Sequence, residues 1–200
     1  MSQTDTAQRA NALGTQKIFS LILQYALPAI AMMLMLCFGI SVIPGASYLK
    51  YEPSGGIILL CGFLLGPAGA LECALVKCVL YMLVHGGSLY GHFSDLLATC
   101  VFAGTTSYLL YHIKQPERKD MFIFPVVGAI AATLVMIPAN YVILHLQYGM
   151  TASAVSASMI YIIPFNLIKA GLNSAFALCL YPSVSKAIQA SLKERNDLHV

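Results

Sequence analysis

Between Ile18 and Tyr181 the chain alternates long apolar runs with short polar turns. In the first run, Ile18 to Val42, the polar interruptions are Ser20, Gln24 and Ser41. At a rise of about 1.5 Å per residue, such a run crosses the ~30 Å hydrocarbon layer of a bilayer as a helix. The composition agrees, with 58% hydrophobic and 10% charged residues. A soluble domain carries roughly 45–50% and 25%, so this chain has too few charges to cover a water-facing surface. Disorder is excluded on the same ground, because a chain that stays unfolded is polar and charged. The pattern predicts a small all-α polytopic membrane protein.

Six helices are expected. The first is Ile18–Val42, closed by the breaker cluster Ile43-Pro44-Gly45-Ala46-Ser47. Two short ones follow, Ile57–Leu65 and Leu71–Val84, divided by the turn Gly66-Pro67-Ala68-Gly69. Each is shorter than a normal span, which suggests a pair packed inside protein. The fourth runs from about His92 to His112, the fifth from Met121 to about Leu146, and the sixth from Ala154 to about Tyr181. The domain reading is a cytoplasmic segment 1–16, a membrane domain 17–185 and a cytoplasmic tail 186–200. Residues 1–16 lack the order of a cleaved signal. Arg9, Lys17, Lys114, Arg118, Lys119, Lys186, Lys193 and Arg195, eight of the eleven Lys and Arg, fall at the termini and the even-numbered turns. By the positive-inside rule both termini are cytoplasmic. The loops at 48–56, 85–91 and 147–153 then face outward.

Several functions find no support. The six cysteines form no C-x-x-C pair and read as small buried hydrophobes rather than metal ligands. No G-x-x-x-x-G-K-[ST] cradle is present, so uphill transport would need an energy source elsewhere. A net charge of +3 without a basic stripe gives no nucleic-acid signal.

Charged residues inside apolar runs need a reason, because each costs at least ~2.5–3.5 kcal/mol near mid-bilayer. Glu72, beside the Gly66–Gly69 turn, reads as solvated or capping. Lys77 is expected to snorkel or to pair with Glu72. Asp95 reads as an N-terminal acid of the fourth helix. Lys169 is different: it sits midway along Ala154–Tyr181. Asn166 and Asn173 share its face at 100° per residue. The bland alternative is interhelical hydrogen bonding by asparagine. A lysine with no acid in its own helix favours a stripe lining a ligand cavity. Asn140, two residues after Pro138, either mends the break in the fifth helix or forms a second wall of that cavity. Amides and a lysine suit a planar heterocycle edged with C=O and N–H groups. Tyr48 and Tyr51, in the first outer loop, are placed to cover a flat ring.

The runs Tyr48-Leu49-Lys50-Tyr51-Glu52-Pro53-Ser54, Phe63-Leu64-Leu65-Gly66-Pro67-Ala68-Gly69 with Lys77, Met136-Ile137-Pro138-Ala139-Asn140-Tyr141 and Pro164-Phe165-Asn166-Leu167-Ile168-Lys169 together resemble riboflavin-specific substrate-binding (S) subunits, RibU type, of energy-coupling factor (ECF) transporters. The resemblance covers about residues 17 to 185. It implies a six-helix bundle in a bacterial cell membrane that captures riboflavin from outside and performs no chemistry. It implies a gate at Tyr48, Leu49, Lys50 and Tyr51, and a ring held by Asn140, Asn166 and Lys169. Asn173 and Asp95 complete the candidate site. Its implied partners are a transmembrane coupling protein and two cytoplasmic ATPases, with no resident cofactor. An Ala-x-x-x-Ala contact with the coupling protein falls on Tyr25 and Ala29. Other departures are Gly55-Gly56-Ile57 where the family has Asp-Ile-Pro, Cys78 where it has Asn, and His92 and Asp95 in place of a Gly-Glu-x-x-Asn run. The competing readings are an S subunit for another vitamin or modified base, a stand-alone membrane carrier and an intramembrane enzyme.

Overall fold

The computed structural model describes residues 25–43, 49–86, 88–113 and 117–197, with the side chains of 191–197 excepted. Among them lie five helices and one small ladder. Helix α1 is Tyr25–Cys37. Strands β1 (Ile40–Ser41) and β2 (Lys50–Tyr51) follow, then α2 (Ser54–His85), α3 (Leu89–His112), α4 (Asp120–Tyr148) and α5 (Ala152–Asp197). The last four are long and apolar enough to cross a membrane. Their outer faces carry large apolar side chains such as Leu83, Val142 and Ile160, exposed by 78%, 59% and 72%. That degree of exposure suits lipid and not water.

Helix α1 stops earlier than expected. Gly39 weakens the helix, and Ile40 and Val42 are β-branched residues that favour extended backbone. Their segment pairs antiparallel with the next loop, Ile40 opposite Tyr51 and Ser41 opposite Lys50. The ladder straps the loop to the end of α1. The part of the predicted first helix at 18–24 lies outside the described residues.

Helix α2 is bent back on itself. Gly66 has φ 79° and ψ −173°, a conformation open essentially to glycine alone. Pro67 then starts the second half in the place where a missing N–H costs nothing. An unbroken helix would separate residues 61 and 69 by about 12 Å along its axis. Instead the Cys61 thiol donates to the Gly69 carbonyl at 3.3 Å, so the two halves lie side by side, as the Gly-Pro-x-x-Gly turn predicts. Ile57, Ile58, Leu59, Leu60 and Cys61 from one half meet Ala70, Cys73 and Ala74 from the other in the main core. Leu27, Ala31, Phe102, Ala103 and Ala177 close that core from α1, α3 and α5.

Gly55 and Gly56 form the first turn of α2 and face α5. A Cβ at Gly55 would overlap the Asn173 amide, and one at Gly56 would lie 2.7 Å from Phe176 Cδ1. Small residues are what close helix packing in lipid demands. The pair that departs from the resembled motif therefore sets an α2–α5 contact rather than the form of the outer loop.

Helix α5 runs on through Pro182 to Asp197, where the sequence suggests a polar tail. Hydroxyl groups inside the bundle bond to the carbonyl four residues back, as Thr106 does to Phe102 at 2.8 Å and Thr133 to Ala129 at 2.8 Å. Backbone and side chain are thereby satisfied where no water reaches.

Candidate functional site

At the strapped end of the bundle, α1, the loop before α2, α2 through Tyr81, α3, α4 and α5 enclose a cavity of about 320 Å³. That lies within the ~300–1,000 Å³ range of small-molecule pockets. Its walls are mostly apolar: Met35 on α1 and Phe38 just after it, Met136 and Ile143 on α4, Ile162 and Phe165 on α5. A few polar groups converge between them. Asn140 comes from α4, Asn166 and Lys169 from α5, Ser94 and Asp95 from α3, and Lys50 and Glu52 from the strap, beside the apolar Leu49.

Local geometry explains each placement. Asn166 and Lys169 are three apart on α5 and share its inner face. Asn140 lies one turn beyond Met136. Its Nδ2 donates to the Met136 carbonyl at 2.7 Å, leaving the amide oxygen as an acceptor. The carbonyl that Pro138 leaves without its helical donor is that of Leu134, four residues back, so this bond does not mend the break; Asn140 stands at the cavity wall.

The charges at the floor do not stand alone. Lys169 Nζ donates to Glu52 Oε1 at 2.9 Å and to Asp95 Oδ1 at 2.8 Å. Asp95 Oδ2 also accepts from Lys77 Nζ. Glu52 and Lys77 are 6% and 1% exposed, and the Asp95 and Lys169 side chains are 13% and 15% exposed. Two buried cations therefore face two buried anions, the condition under which charge is tolerated away from water. Burial pushes the Glu52 carboxyl above the usual carboxylate range, while the Lys169 ammonium acts in the opposite sense.

This arrangement corrects two expectations. Lys77 pairs with Asp95 and not with Glu72, which is exposed. Asp95 is no cap: α3 begins at Leu89, so Asp95 lies in its second turn, inside the bundle. Lys169, with no adjacent acid in its own helix, takes its partners from other elements.

Of the candidate site residues, the structure brings Leu49, Lys50, Asp95, Asn140, Asn166 and Lys169 to one cavity. Asn173 does not reach it. That side chain packs on Gly55 and borders an adjoining space of about 30 Å³ with Thr99, Asn166 and Lys169, its Oδ1 buried without a partner. Tyr51 pairs with Ile40 in the ladder and is not part of the cavity wall. Tyr48 lies outside the described residues. Tyr25 is 71% exposed on α1, with Ala29 half-buried one turn on. Sequence reasoning missed Glu52 as a site residue, along with Gln147 and Tyr148, which also line the cavity. The available signal for Glu52 was its place in the Tyr51-Glu52-Pro53-Ser54 run, directly before a helix of the membrane domain.

No curated protein matches the chain. A solved structure described as the S component of a bacterial ECF transporter is similar, with a TM-score of 0.73 and 32% identity. The match covers 86% of this chain and 98% of that one. The family model "ECF transporter, substrate-specific component" matches residues 21–181. With the fold, the multi-pass apolar helices and this match together, the chain belongs to the substrate-specific components of ECF transporters, membrane subunits that bind the transported substrate and work with the transporter's transmembrane and ATPase modules.

Proposed function

We propose that the chain captures riboflavin, or a close flavin, from outside the cell and presents it for import. The observation that carries this reading is the meeting of Asn140, Asn166 and Lys169 at one apolar-walled cavity. Two amides supply donors and acceptors for the edge of a ring bearing alternating C=O and N–H groups. Lys169 has three N–H donors and spends two on Glu52 and Asp95, so one is left for a ring carbonyl or nitrogen. Phe165, Met136 and Ile162 suit the flat faces of such a ring.

The two halves of α2, counted separately, give six membrane rods. The Lys and Arg distribution then puts both termini in the cytoplasm and the cavity at the outer face. The first outer loop is the gate, and its described part, 49–52, is strapped by the β1–β2 ladder. In this reading the exposed side of α1, with Tyr25 and Ala29, meets the coupling protein, and the two ATPases act through it.

The test is direct. Protein purified in mild detergent should carry a flavin absorption spectrum or quench the fluorescence of added riboflavin at a one-to-one ratio. A colourless preparation that never quenches added flavin refutes the flavin reading. Quenching restored only by a different vitamin would place the chain among S subunits of another specificity.

A further inference from the structure

One member of the four-charge cluster does not touch the cavity. Lys77 is 1% exposed, forms no part of the cavity wall, and contacts Asp95 through Oδ2, the oxygen that Lys169 does not use. Glu52 and Asp95 bring two negative charges, Lys77 and Lys169 two positive, and the cluster is balanced. Without Lys77 a single ammonium would face two carboxylates in a space with little water. Asp95 Oδ2 would then be an unpaired buried acceptor, and a donor already beside that carboxylate is the ammonium of Lys169, 2.8 Å from its other oxygen, with one N–H remaining. That is the donor which, in the flavin-capture reading, binds the ring.

We infer that Lys77 is a positioning residue for substrate binding: by occupying Asp95 Oδ2 and balancing the cluster, it keeps the third donor of Lys169 free for an uncharged ring acceptor. The inference rests on the proposed function for its ligand, but its electrostatic part does not. A tether between α2 and α3 would be a different role, because a tether needs only contact. Charge balance needs the count of cations and anions to match, whichever residues supply them.

The experiment separates the two. Riboflavin binding is titrated by fluorescence quenching for wild type, Lys77→Met, Lys77→Arg and the double variant Lys77→Met/Asp95→Asn. Lys77→Met should weaken binding roughly 10- to 150-fold, the scale of one lost hydrogen bond to a charged group. Lys77→Arg, which keeps the charge, should lose much less. The double variant leaves Lys169 and Glu52 as a balanced pair, and it should bind more tightly than Lys77→Met despite carrying the additional substitution. A double variant as weak as Lys77→Met or weaker, or a Lys77→Met protein within threefold of wild type, overturns the inference. Thermal unfolding of the ligand-free proteins in detergent gives a reading independent of flavin. The double variant should unfold at a higher temperature than Lys77→Met, and the reverse order overturns the charge-balance argument. Failure of the wild type to bind riboflavin would remove the flavin reading while the unfolding order still decides the role of Lys77.

Discussion

Lys169→Ala is the perturbation that most directly tests the site. The side chain holds Glu52 at 2.9 Å and Asp95 at 2.8 Å, and it is mostly buried. Two losses follow, and they differ in kind. For the ligand, the missing bond is one from a charged donor, worth about 1.5–3 kcal/mol. At 1.4 kcal/mol per factor of ten, that is roughly 10- to 150-fold in Kd. For the fold, the substitution leaves Glu52 and Asp95 with Lys77 as the one remaining cation of the cluster among the described residues. Removing one partner of a buried pair costs about 3–5 kcal/mol. Lys169→Ala should therefore lower both affinity and unfolding temperature. Asn166→Ala removes a neutral amide from the same wall and should weaken binding by about 1 kcal/mol, or some fivefold, with little loss of stability. Lys119→Ala, at a side chain 66% exposed, should change neither. Fluorescence titration and thermal unfolding on the three purified variants check this order. If Lys169→Ala binds within threefold of wild type, or if all three variants lose affinity alike, the cavity is not the binding site.

Three further outcomes follow from particular contacts. Gly66→Ala forces a side chain onto a φ of 79°, and it should destabilise the protein by about 1–3 kcal/mol; an unchanged unfolding temperature would deny the reversal of α2. Gly56→Val sets a side chain against Phe176, with an expected cost of about 1–3 kcal/mol from overpacking, read by the same assay. Glu52→Gln removes one charged anchor of the strap, so riboflavin should leave faster, by about tenfold on the scale of a single charged bond; stopped-flow release at the wild-type rate would mean that the strap does not gate the cavity.

The parts of this structure that repeat locally are legible in the sequence. Apolar runs and their lengths mark the membrane helices, and Gly66-Pro67 marks the reversal, because only glycine takes that backbone and proline suits the position after it. Asn166 and Lys169 share a face by helical spacing alone. What spacing does not show is which partner a buried charge finds. Lys169 meets Asp95 and Glu52 across 74 and 117 residues, and Lys77 passes over Glu72, five residues away on its own helix, for Asp95 on the next. Hydropathy indicates only that such groups must be paired. Asn173 shows the opposite limit. It lies on the same helical face as Lys169, yet one more turn along α5 carries it past the cavity and against Gly55. A shared face fixes direction around an axis, not depth along it.

The pairings also say why this end of the bundle suits capture. Every contact of the cluster joins different elements: Glu52 belongs to the strap, Lys77 to α2, Asp95 to α3 and Lys169 to α5. A buried ion pair adds little net stability, because desolvation of its members offsets their attraction, but separating the partners is costly. Such a cluster therefore penalises any arrangement in which the strap stands away from α5 with Glu52 still out of water. Opening is least costly when Glu52 reaches solvent, at the mouth, where a ligand enters. In the flavin-capture reading, a ring acceptor that takes the remaining Lys169 donor would add one more tie to the residue that Glu52 grips, so the occupied cavity and the closed strap would favour the same position of a single ammonium. On that proposal binding and gating both depend on where Lys169 sits, and a substitution that moves it should alter affinity and release rate together.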